Sequence, residues 1–139
     1  MVEIKVAYEG ALRCRAVHGP STTECVTDAP VDNEGQGASF SPTDLVATAV
    51  GTCMMTIMGI YAKRHDLDLE GSRITITKHM TAQPTRRIGK VEVHFTINAD
   101  LTDRHREGLV RAAEACPVAK SLHPDIVLDH HFNWTAASE

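Results

Sequence analysis

The stretch from Ser41 to His65 reads SPTDLVATAVGTCMMTIMGIYAKRH, and it decides the fold. No charged residue occurs from Leu45 to Ala62, so a helix formed here is apolar on nearly every side. Such a helix has to be buried on nearly every side. One thiol, Cys53, lies near its middle. We therefore predict a long central core helix that carries a single cysteine.

Both ends of this stretch carry the signals of helix termini. Ser41 is a suitable N-cap, and Pro42 suits the first helical position because a backbone N–H would lack a partner there. Asp44 occupies the acidic position of a capping box. At the other end the chain has basic residues, which suit the negative end of the helix dipole. The helix is therefore expected to span the whole stretch.

A membrane span is the alternative interpretation of this helix, because the uncharged run is close to the ~20 residues that a span requires. The helix contains four threonines, and Tyr61 is its only aromatic residue. The rest of the chain alternates charged and apolar residues and offers no second span. These features favour the core helix of a soluble protein, with no membrane partner.

The composition sets further limits on the protein. Its 139 residues suffice for one domain with a hydrophobic core, and we predict a single domain over residues 1–139. The net charge of −4 and the pI of about 6.0 speak against a nucleic-acid partner. The opening MVEIKVAYEG lacks the apolar region of a secretion signal, so we expect a cytoplasmic protein. Its four cysteines should then be free thiols or a catalytic pair.

Hydrophobic periodicity predicts the element order βββ-α-ββ-α-α-β. The strands are expected at 3–8, 11–18, 22–27, 73–80, 89–99 and 126–134, and the later helices at 103–115 and 118–123. Because tight turns join neighbouring strands, we predict an α+β fold with mostly antiparallel sheets around the central helix. One subunit of this size cannot cover so apolar a helix, which indicates an obligate homodimer.

Cys53 can act as a nucleophile only as a thiolate, and burial in apolar surroundings opposes its ionisation. It also lies about three turns inside its helix, beyond the reach of the helix dipole. A reactive Cys53 therefore needs a cation from elsewhere, and Arg13 and Arg15 in the second strand are the candidates. Alternatively, Cys53 is a small core residue, as buried free cysteines often are.

Cys116 precedes Pro117 at a predicted helix start, where backbone N–H groups and the helix dipole favour a thiolate. Simple capping by a small residue explains this position equally well. Cys14 and Cys25 lie in strand patterns and are interpreted as packing or incidental residues.

No metal or other cofactor is expected. His130 and His131 are adjacent in a strand and point to opposite faces, which makes them a poor chelating pair. The sequence has no HExxH or comparable ligand spacing. The three methionines that follow Cys53 have helix spacing inside an apolar run, which is typical of core packing rather than of a copper site.

Two motifs stand 63 positions apart, counted between their cysteines: SPTDLVATAVGTC, which ends at Cys53, and CPVAKSLHPDI, which begins at Cys116. In this order and separation they resemble the OsmC/Ohr family of thiol-dependent peroxidases. The predicted order of strands and helices is similar to that family over nearly the whole chain. A less characterised OsmC-like branch is the nearest match.

The resemblance implies an intertwined homodimer with two equivalent, metal-free sites at the subunit interface. Cys53 would be the peroxidatic thiol, which a hydroperoxide substrate oxidises to a sulfenic acid, and Cys116 the resolving thiol, which condenses with it to a disulfide. A dithiol reductant, such as a lipoylated protein or a small thiol compound, would restore both cysteines. Burial of the thiol would favour apolar organic hydroperoxides over hydrogen peroxide.

The resemblance also implies an arginine from the N-terminal strands against the thiolate, oriented by a glutamate. We assign the arginine to Arg13, with Arg15 as the alternative. The glutamate has no direct counterpart, because the chain has Thr43 ten residues before Cys53. Asp44, the next residue, either orients the arginine or only caps its own helix.

Two functions follow from these observations. The first is a peroxidase that reduces organic hydroperoxides through Cys53 and Cys116. The second is a non-catalytic protein that binds an apolar or thiol ligand in a pocket at the dimer interface. Fast alkylation of Cys53 near neutral pH is expected only of the first.

Overall fold

A computed structural model describes residues 1–135, and it has the element order that the sequence predicts. The strands are β1 (Ile4–Gly10), β2 (Arg13–His18), β3 (Glu24–Asp28), β4 (Arg73–Thr81), β5 (Arg87–Asn98) and β6 (Val127–Thr135). The helices are α1 (Pro42–Arg64), α2 (Asp103–Glu114) and α3 (Pro117–Ser121), and one turn of 3-10 helix covers Val31–Asn33. The α+β class is therefore confirmed.

The chain divides into two compact units, Met1–Val46 and Ala47–Glu139. The division falls inside α1, near its N-terminal end. Each unit contains one three-stranded sheet. The expectation of a single domain over residues 1–139 stays a prediction.

The N-terminal sheet has the strand order β1-β2-β3, and both of its strand pairs are antiparallel, as predicted. Apolar residues alternate along β1, so Ile4, Val6 and Tyr8 share one face. Their exposed fractions are 59%, 62% and 67%. In the single chain this strand therefore presents an uncovered apolar face.

The C-terminal sheet has the strand order β4-β5-β6 and is mixed. β4 and β5 form the predicted antiparallel hairpin, whereas β6 runs parallel to β5. The sheets are therefore mostly antiparallel, as predicted, and β6 is the exception. The physical reason is the connection between them: α2 and α3 form the long helical crossover that a pair of parallel strands requires.

The core of the C-terminal unit is built on β5 and α1. Four alternating residues of β5 are buried on one face, as their period-two pattern predicts: Val91, Val93, Phe95 and Ile97. Helix α1 packs on β4 through Gly51, since a Cβ at that position would lie 2.3 Å from Cδ1 of Ile76. A glycine here lets the helix approach the sheet closely.

Helix α1 is buried along one stripe rather than on nearly every side. The stripe follows helical spacing and consists of Ala47, Val50, Gly51, Met54, Met58 and Ala62. Outside it, Ile60 is 42% exposed in the single chain. By length and composition alone, α1 could cross a membrane, and no other helix within residues 1–135 could. The buried stripe is what the core helix of a soluble domain shows.

Candidate active site

Cys53 lies near the midpoint of the 23-residue helix α1. Its side chain is a free thiol and is half-buried, beside the fully packed Met54. The thiol is therefore more accessible in the single chain than the apolar sequence around it suggests.

Cys116 occupies the N-cap of α3, and Pro117 takes the first helical position, as the sequence predicts. The backbone N–H of Ala119 donates a hydrogen bond to the Cys116 sulfur, with an N···Sγ distance of 3.4 Å. The side chain is completely buried in the core of the C-terminal unit. This thiol is therefore held in place both by packing and by a backbone hydrogen bond.

Cys53 and Cys116 meet through a side-chain hydrogen bond within the C-terminal unit. Burial raises the pKa of the Cys116 thiol, and the hydrogen bond with Cys53 raises that pKa further. The N–H groups of Ala119 and Val118 act in the opposite direction but do not outweigh burial. The thiol form of Cys116 is therefore favoured over its thiolate. The expected N-cap is confirmed, but burial overrides its preference for a thiolate.

Arg13 lies at the start of β2, directly across the strand pair from Asp28 at the end of β3. Its Nη2 donates a hydrogen bond to Oε1 of Gln36, with an N···O distance of 3.0 Å. Its Nε lies 3.7 Å from Oδ2 of Asp28. Sequence reasoning singled out Arg13 but missed both partners. The antiparallel meander alone could have placed Asp28 opposite Arg13.

Arg15 lies on the same face of β2 but contacts different groups. Its Nε is 3.2 Å from Glu9 and its Nη1 is 2.9 Å from Glu24. Hydrogen bonds and charge attraction from these two glutamates raise the pKa of the Arg15 guanidinium further above its usual value. Two exposed carboxylates therefore satisfy Arg15.

Asp44 forms a reciprocal capping box with Ser41 at the start of α1. The backbone N–H of Asp44 donates to Oγ of Ser41 at 3.1 Å, and the backbone N–H of Ser41 donates to Oδ2 of Asp44 at 2.9 Å. The capping role expected of Asp44 is confirmed. A role in orienting the arginine stays a prediction.

The remaining polar clusters contain neither of the paired cysteines. On the outer face of the C-terminal sheet, His94 and His131 stack across neighbouring strands with ring centroids 4.6 Å apart. Sequence reasoning missed this cross-strand pair. Within residues 1–135, no three His, Cys, Asp or Glu side chains form a group that could hold a metal ion. A cavity of about 360 Å³ is lined by residues 66–68, 70 and 98–101, including four carboxylates.

Comparison with known proteins assigns the chain to a family. The model of the OsmC-like protein family matches residues 35–131, a span that includes Cys53 and Cys116 but not Arg13. A proposed osmotic stress induced and detoxification response protein from Psychrobacter arcticus 273-4 has a crystal structure with 45% sequence identity to this chain. The alignment covers 96% of each chain, with a TM-score of 0.91. No match is found among curated proteins.

Two more distant crystal structures share the fold. An organic hydroperoxide resistance protein OsmC from Legionella pneumophila is 19% identical over 96% of each chain, with a TM-score of 0.76. The organic hydroperoxide resistance protein OhrB of Bacillus subtilis is 17% identical, with a TM-score of 0.69. It matches over 96% of this chain and 98% of its own. The family model, the relative with 45% identity and the shared fold agree: the chain belongs to the OsmC-like protein family.

Proposed function

We propose that the protein is a thiol-dependent peroxidase that reduces organic hydroperoxides, with Cys53 as the peroxidatic thiol and Cys116 as the resolving thiol. The observation that carries this proposal is the hydrogen bond between these two free thiols inside one unit of the chain. The names of structural neighbours, organic hydroperoxide resistance proteins, support the choice of substrate class.

The proposed reaction has two steps on the protein. The Cys53 thiolate attacks an oxygen of the hydroperoxide, so an S–O bond forms, the O–O bond breaks and the alkoxide leaves as the alcohol after taking a proton. The sulfur loses two electrons and becomes a sulfenic acid. The Cys116 sulfur then attacks the Cys53 sulfur, so an S–S bond forms and the hydroxyl leaves as water with the Cys116 proton. An external dithiol reduces the disulfide and is itself oxidised.

The contrasting environments of the two thiols suit these roles. Because burial raises the pKa of Cys116, it stays protonated and can donate its hydrogen bond to the Cys53 thiolate. Cys53 is half-buried, so a small hydroperoxide can approach it, whereas Cys116 is shielded from peroxide. Shielding would keep the resolving sulfur reduced until Cys53 has reacted.

The proposal gives Arg13 the role of the cation that stabilises the Cys53 thiolate. A guanidinium is charged at every physiological pH, so its effect would not depend on a second ionisation. Arg15 is the weaker candidate, because two glutamates already neutralise it. Asp44 is kept as a candidate for orienting the arginine, in addition to its capping role.

We further propose a homodimer. Its support is the apolar surface that the single chain leaves exposed, namely the Ile4, Val6 and Tyr8 face of β1 and Ile60 on α1. A second copy of the chain is the occupant that would cover both surfaces, as the apolar central helix requires. Two thiols that must be reduced between turnovers also favour a cytoplasmic location, where dithiol reductants are kept reduced.

The test is turnover of purified protein with a dithiol reductant, dihydrolipoamide, and two peroxides. Cumene hydroperoxide should be consumed faster than hydrogen peroxide, because Cys53 lies in a helix without charged residues from Leu45 to Ala62. Glutathione, a monothiol, should support turnover less well than the dithiol. Consumption no faster than that caused by dihydrolipoamide alone would reject the peroxidase and favour the non-catalytic binding protein.

A further inference from the structure

Tyr61, near the C-terminal end of α1, is held against the start of α2 inside the C-terminal unit. Its hydroxyl shares a hydrogen bond with Nδ1 of His105, with an O···N distance of 3.2 Å. The Tyr61 ring also stacks on His65, which directly follows α1, with ring centroids 4.2 Å apart. His65 in turn lies edge-on to His105, with ring centroids 5.4 Å apart. The Tyr61 side chain is therefore held both by the end of its own helix and by α2.

Gly108 lets α2 pack directly against the Tyr61 ring. It is buried, and a Cβ at this position would have Oη, Cζ and Cε2 of Tyr61 at 2.7 Å or less. Any side chain larger than a hydrogen atom would therefore displace either the ring or the helix. Because glycine in the middle of a helix is less stable than alanine, this residue has a cost for α2. The close approach of Tyr61 explains why a glycine is present here.

A second contact joins the same two segments at the paired thiols. Cys53 lies eight residues before Tyr61, and Cys116 lies eight residues after Gly108. Because Tyr61 meets Gly108 and Cys53 meets Cys116, the two segments run antiparallel and their contact points are equally spaced. Eight residues of helix span about 12 Å. The contact of Tyr61 with Gly108 therefore fixes the axial register that brings the two sulfurs together.

Cys116 moves with α2 because backbone hydrogen bonds tie it to the end of that helix. Its N–H donates to the carbonyl of Ala113 at 3.2 Å, and the N–H of Ala115 donates to the carbonyl of Arg111, also at 3.2 Å. Sliding α2 by one residue along α1 would therefore move Cys116 by about 1.5 Å. A disulfide needs Cα atoms roughly 4.4–6.8 Å apart, so such a shift takes up much of the permitted range. Formation of the disulfide is therefore sensitive to the position of α2.

The order of the elements leaves this register to packing. β4 and β5 lie between α1 and α2, so no short loop fixes one helix against the other. At the other side of α2, the guanidinium of Arg106 lies over the ring of Trp134 at 6.0 Å. Nε2 of His130 lies 3.3 Å from Oε1 of Glu114. These contacts hold α2 on β6, whereas the contacts of Tyr61 relate α2 directly to the helix that carries the attacking thiol.

We propose that Tyr61 is the positioning residue for the step in which Cys116 attacks the oxidised Cys53. His105 and Gly108 assist by holding the Tyr61 ring in place. This inference rests on the proposed function and concerns the resolving step alone. In that step an S–S bond forms between the two cysteines, and the hydroxyl of the sulfenic acid leaves as water with the Cys116 proton. Tyr61 lies about 12 Å along α1 from Cys53 and acts by setting the axial position of α2.

Replacing Gly108 by alanine separates the two chemical steps. The added methyl group overlaps the Tyr61 ring and displaces α2, while Cys53 stays in place on α1. Oxidation of Cys53 to the sulfenic acid should therefore keep its wild-type rate. Formation of the disulfide should slow at least tenfold, since a misplacement of about 1 Å can cost up to about a hundredfold in rate. Gly59→Ala is the matched control, because its Cβ would meet no atom within 4 Å in residues 1–135, and it should leave both rates unchanged.

Two further variants distinguish positioning from stability and decide the question if Gly108→Ala does not fold. Tyr61→Phe keeps the ring on Gly108 and removes only the hydrogen bond to His105. It should slow disulfide formation about fivefold, the size expected for one neutral hydrogen bond. Glu107→Gly weakens α2 at an exposed position through helix propensity alone. It should lower the urea midpoint and leave the rate of disulfide formation unchanged.

Both steps are measured in the same samples after rapid mixing with cumene hydroperoxide. Dimedone traps the sulfenic acid on Cys53, and mass spectrometry gives the amounts of trapped product and of disulfide over time. A second readout needs no peroxide: the equilibrium of the Cys53–Cys116 disulfide with reduced and oxidised dithiothreitol. In Gly108→Ala this equilibrium should shift toward the free thiols by about tenfold or more, because the two sulfurs no longer meet in the folded chain.

The two readouts separate this inference from the proposed function. If wild-type Cys53 reacts with peroxide no faster than a free thiol, the peroxidase proposal fails, and the dithiothreitol equilibrium still tests the register of α2. The assignment to Tyr61 would be overturned by wild-type disulfide formation in Tyr61→Phe or in folded Gly108→Ala. An equal loss in Gly59→Ala or Glu107→Gly, or the absence of the disulfide from wild-type protein in oxidised dithiothreitol, would overturn it as well.

Discussion

The chain contains two neighbouring pairs of cysteines, and the two pairs lie in different environments. Cys53 and Cys116 come from a helix and a helix N-cap, share a hydrogen bond and lie against a packed core. Cys14 and Cys25 lie on adjacent strands of the N-terminal sheet, where Cys14 pairs with Thr27 and Cys25 with Ala16. They are therefore diagonal neighbours on one face of that sheet.

The difference shows that a shared face of a sheet does not by itself bring two thiols within the distance of a disulfide. Diagonal neighbours in an antiparallel sheet have Cα atoms about 7–8 Å apart, beyond the roughly 4.4–6.8 Å that a disulfide spans. Cys25 is exposed and Cys14 is half-buried, and neither caps a helix. The other pair joins a thiol in the middle of a helix to a buried thiol at a helix N-cap.

The largest effect is expected from Cys53→Ser. If Cys53 is the attacking thiol, this variant should lower the turnover of cumene hydroperoxide by roughly a thousandfold or more, as loss of a catalytic nucleophile usually does. Cys25→Ser should keep wild-type turnover under the same conditions. Coupled peroxide-consumption assays measure the turnover rates of both variants. Full activity of Cys53→Ser would show that Cys53 is not the attacking thiol.

A smaller effect is expected from Cys116→Ser. The first oxidation of Cys53 should remain rapid, because the attacking thiol is intact, but the sulfenic acid cannot be resolved within the chain. Sulfenic and then sulfinic acid should accumulate on Cys53, and multiple turnover should fall about tenfold or more. Single-turnover and steady-state rates, together with the mass of the Cys53 peptide, check this. Equal steady-state rates in wild type and variant would show that resolution does not use Cys116.

The stability of the folded chain should also depend on pH through Cys116. Because burial raises the pKa of Cys116 in the folded chain, the unfolded chain loses this proton at a lower pH. The contribution of the protonated Cys116 thiol to the free energy of unfolding is complete below the ordinary thiol pKa. It is lost as the pH rises through the raised pKa of the folded chain. The urea midpoint of wild type should therefore fall between neutral and alkaline pH more steeply than that of Cys116→Ser. Parallel curves would contradict the raised pKa.

The smallest effect is expected from Cys25→Ser on stability. The side chain is exposed, so the free energy of unfolding should change by less than about 0.5 kcal/mol. Urea denaturation at neutral pH measures it, with Cys14→Ser as a companion. A loss several times larger would show that the N-terminal pair has a structural role.

Much of the fold could be predicted because alternating and helical patterns encode burial. The period-two run Val91, Val93, Phe95 and Ile97 and the caps of α1 are confirmed. The direction of β6 could not be obtained in that way, since alternation is the same in parallel and antiparallel strands. The length of the connection indicates the direction of β6, because α2 and α3 lie between β5 and β6 and form the crossover of a parallel strand pair.

The candidate site was predictable only where local sequence defines it. The N-cap position of Cys116 follows from Pro117, but its burial comes from distant core residues, so the raised pKa could not be predicted. The partners of Arg13 required the strand register. The meander around the Gly19-Pro20 turn contained that information for Asp28, whereas Gln36 comes from an irregular segment with no periodic signal.

The most direct test is to follow the fully reduced protein by stopped flow as it reacts with one equivalent of cumene hydroperoxide or hydrogen peroxide, and then to map its disulfides by mass spectrometry. We predict faster oxidation by the organic peroxide and a Cys53–Cys116 disulfide, with Cys14 and Cys25 still reduced. Oxidation no faster than that of a free thiol with Cys53 left reduced, or a disulfide that includes Cys14 or Cys25, would contradict the account.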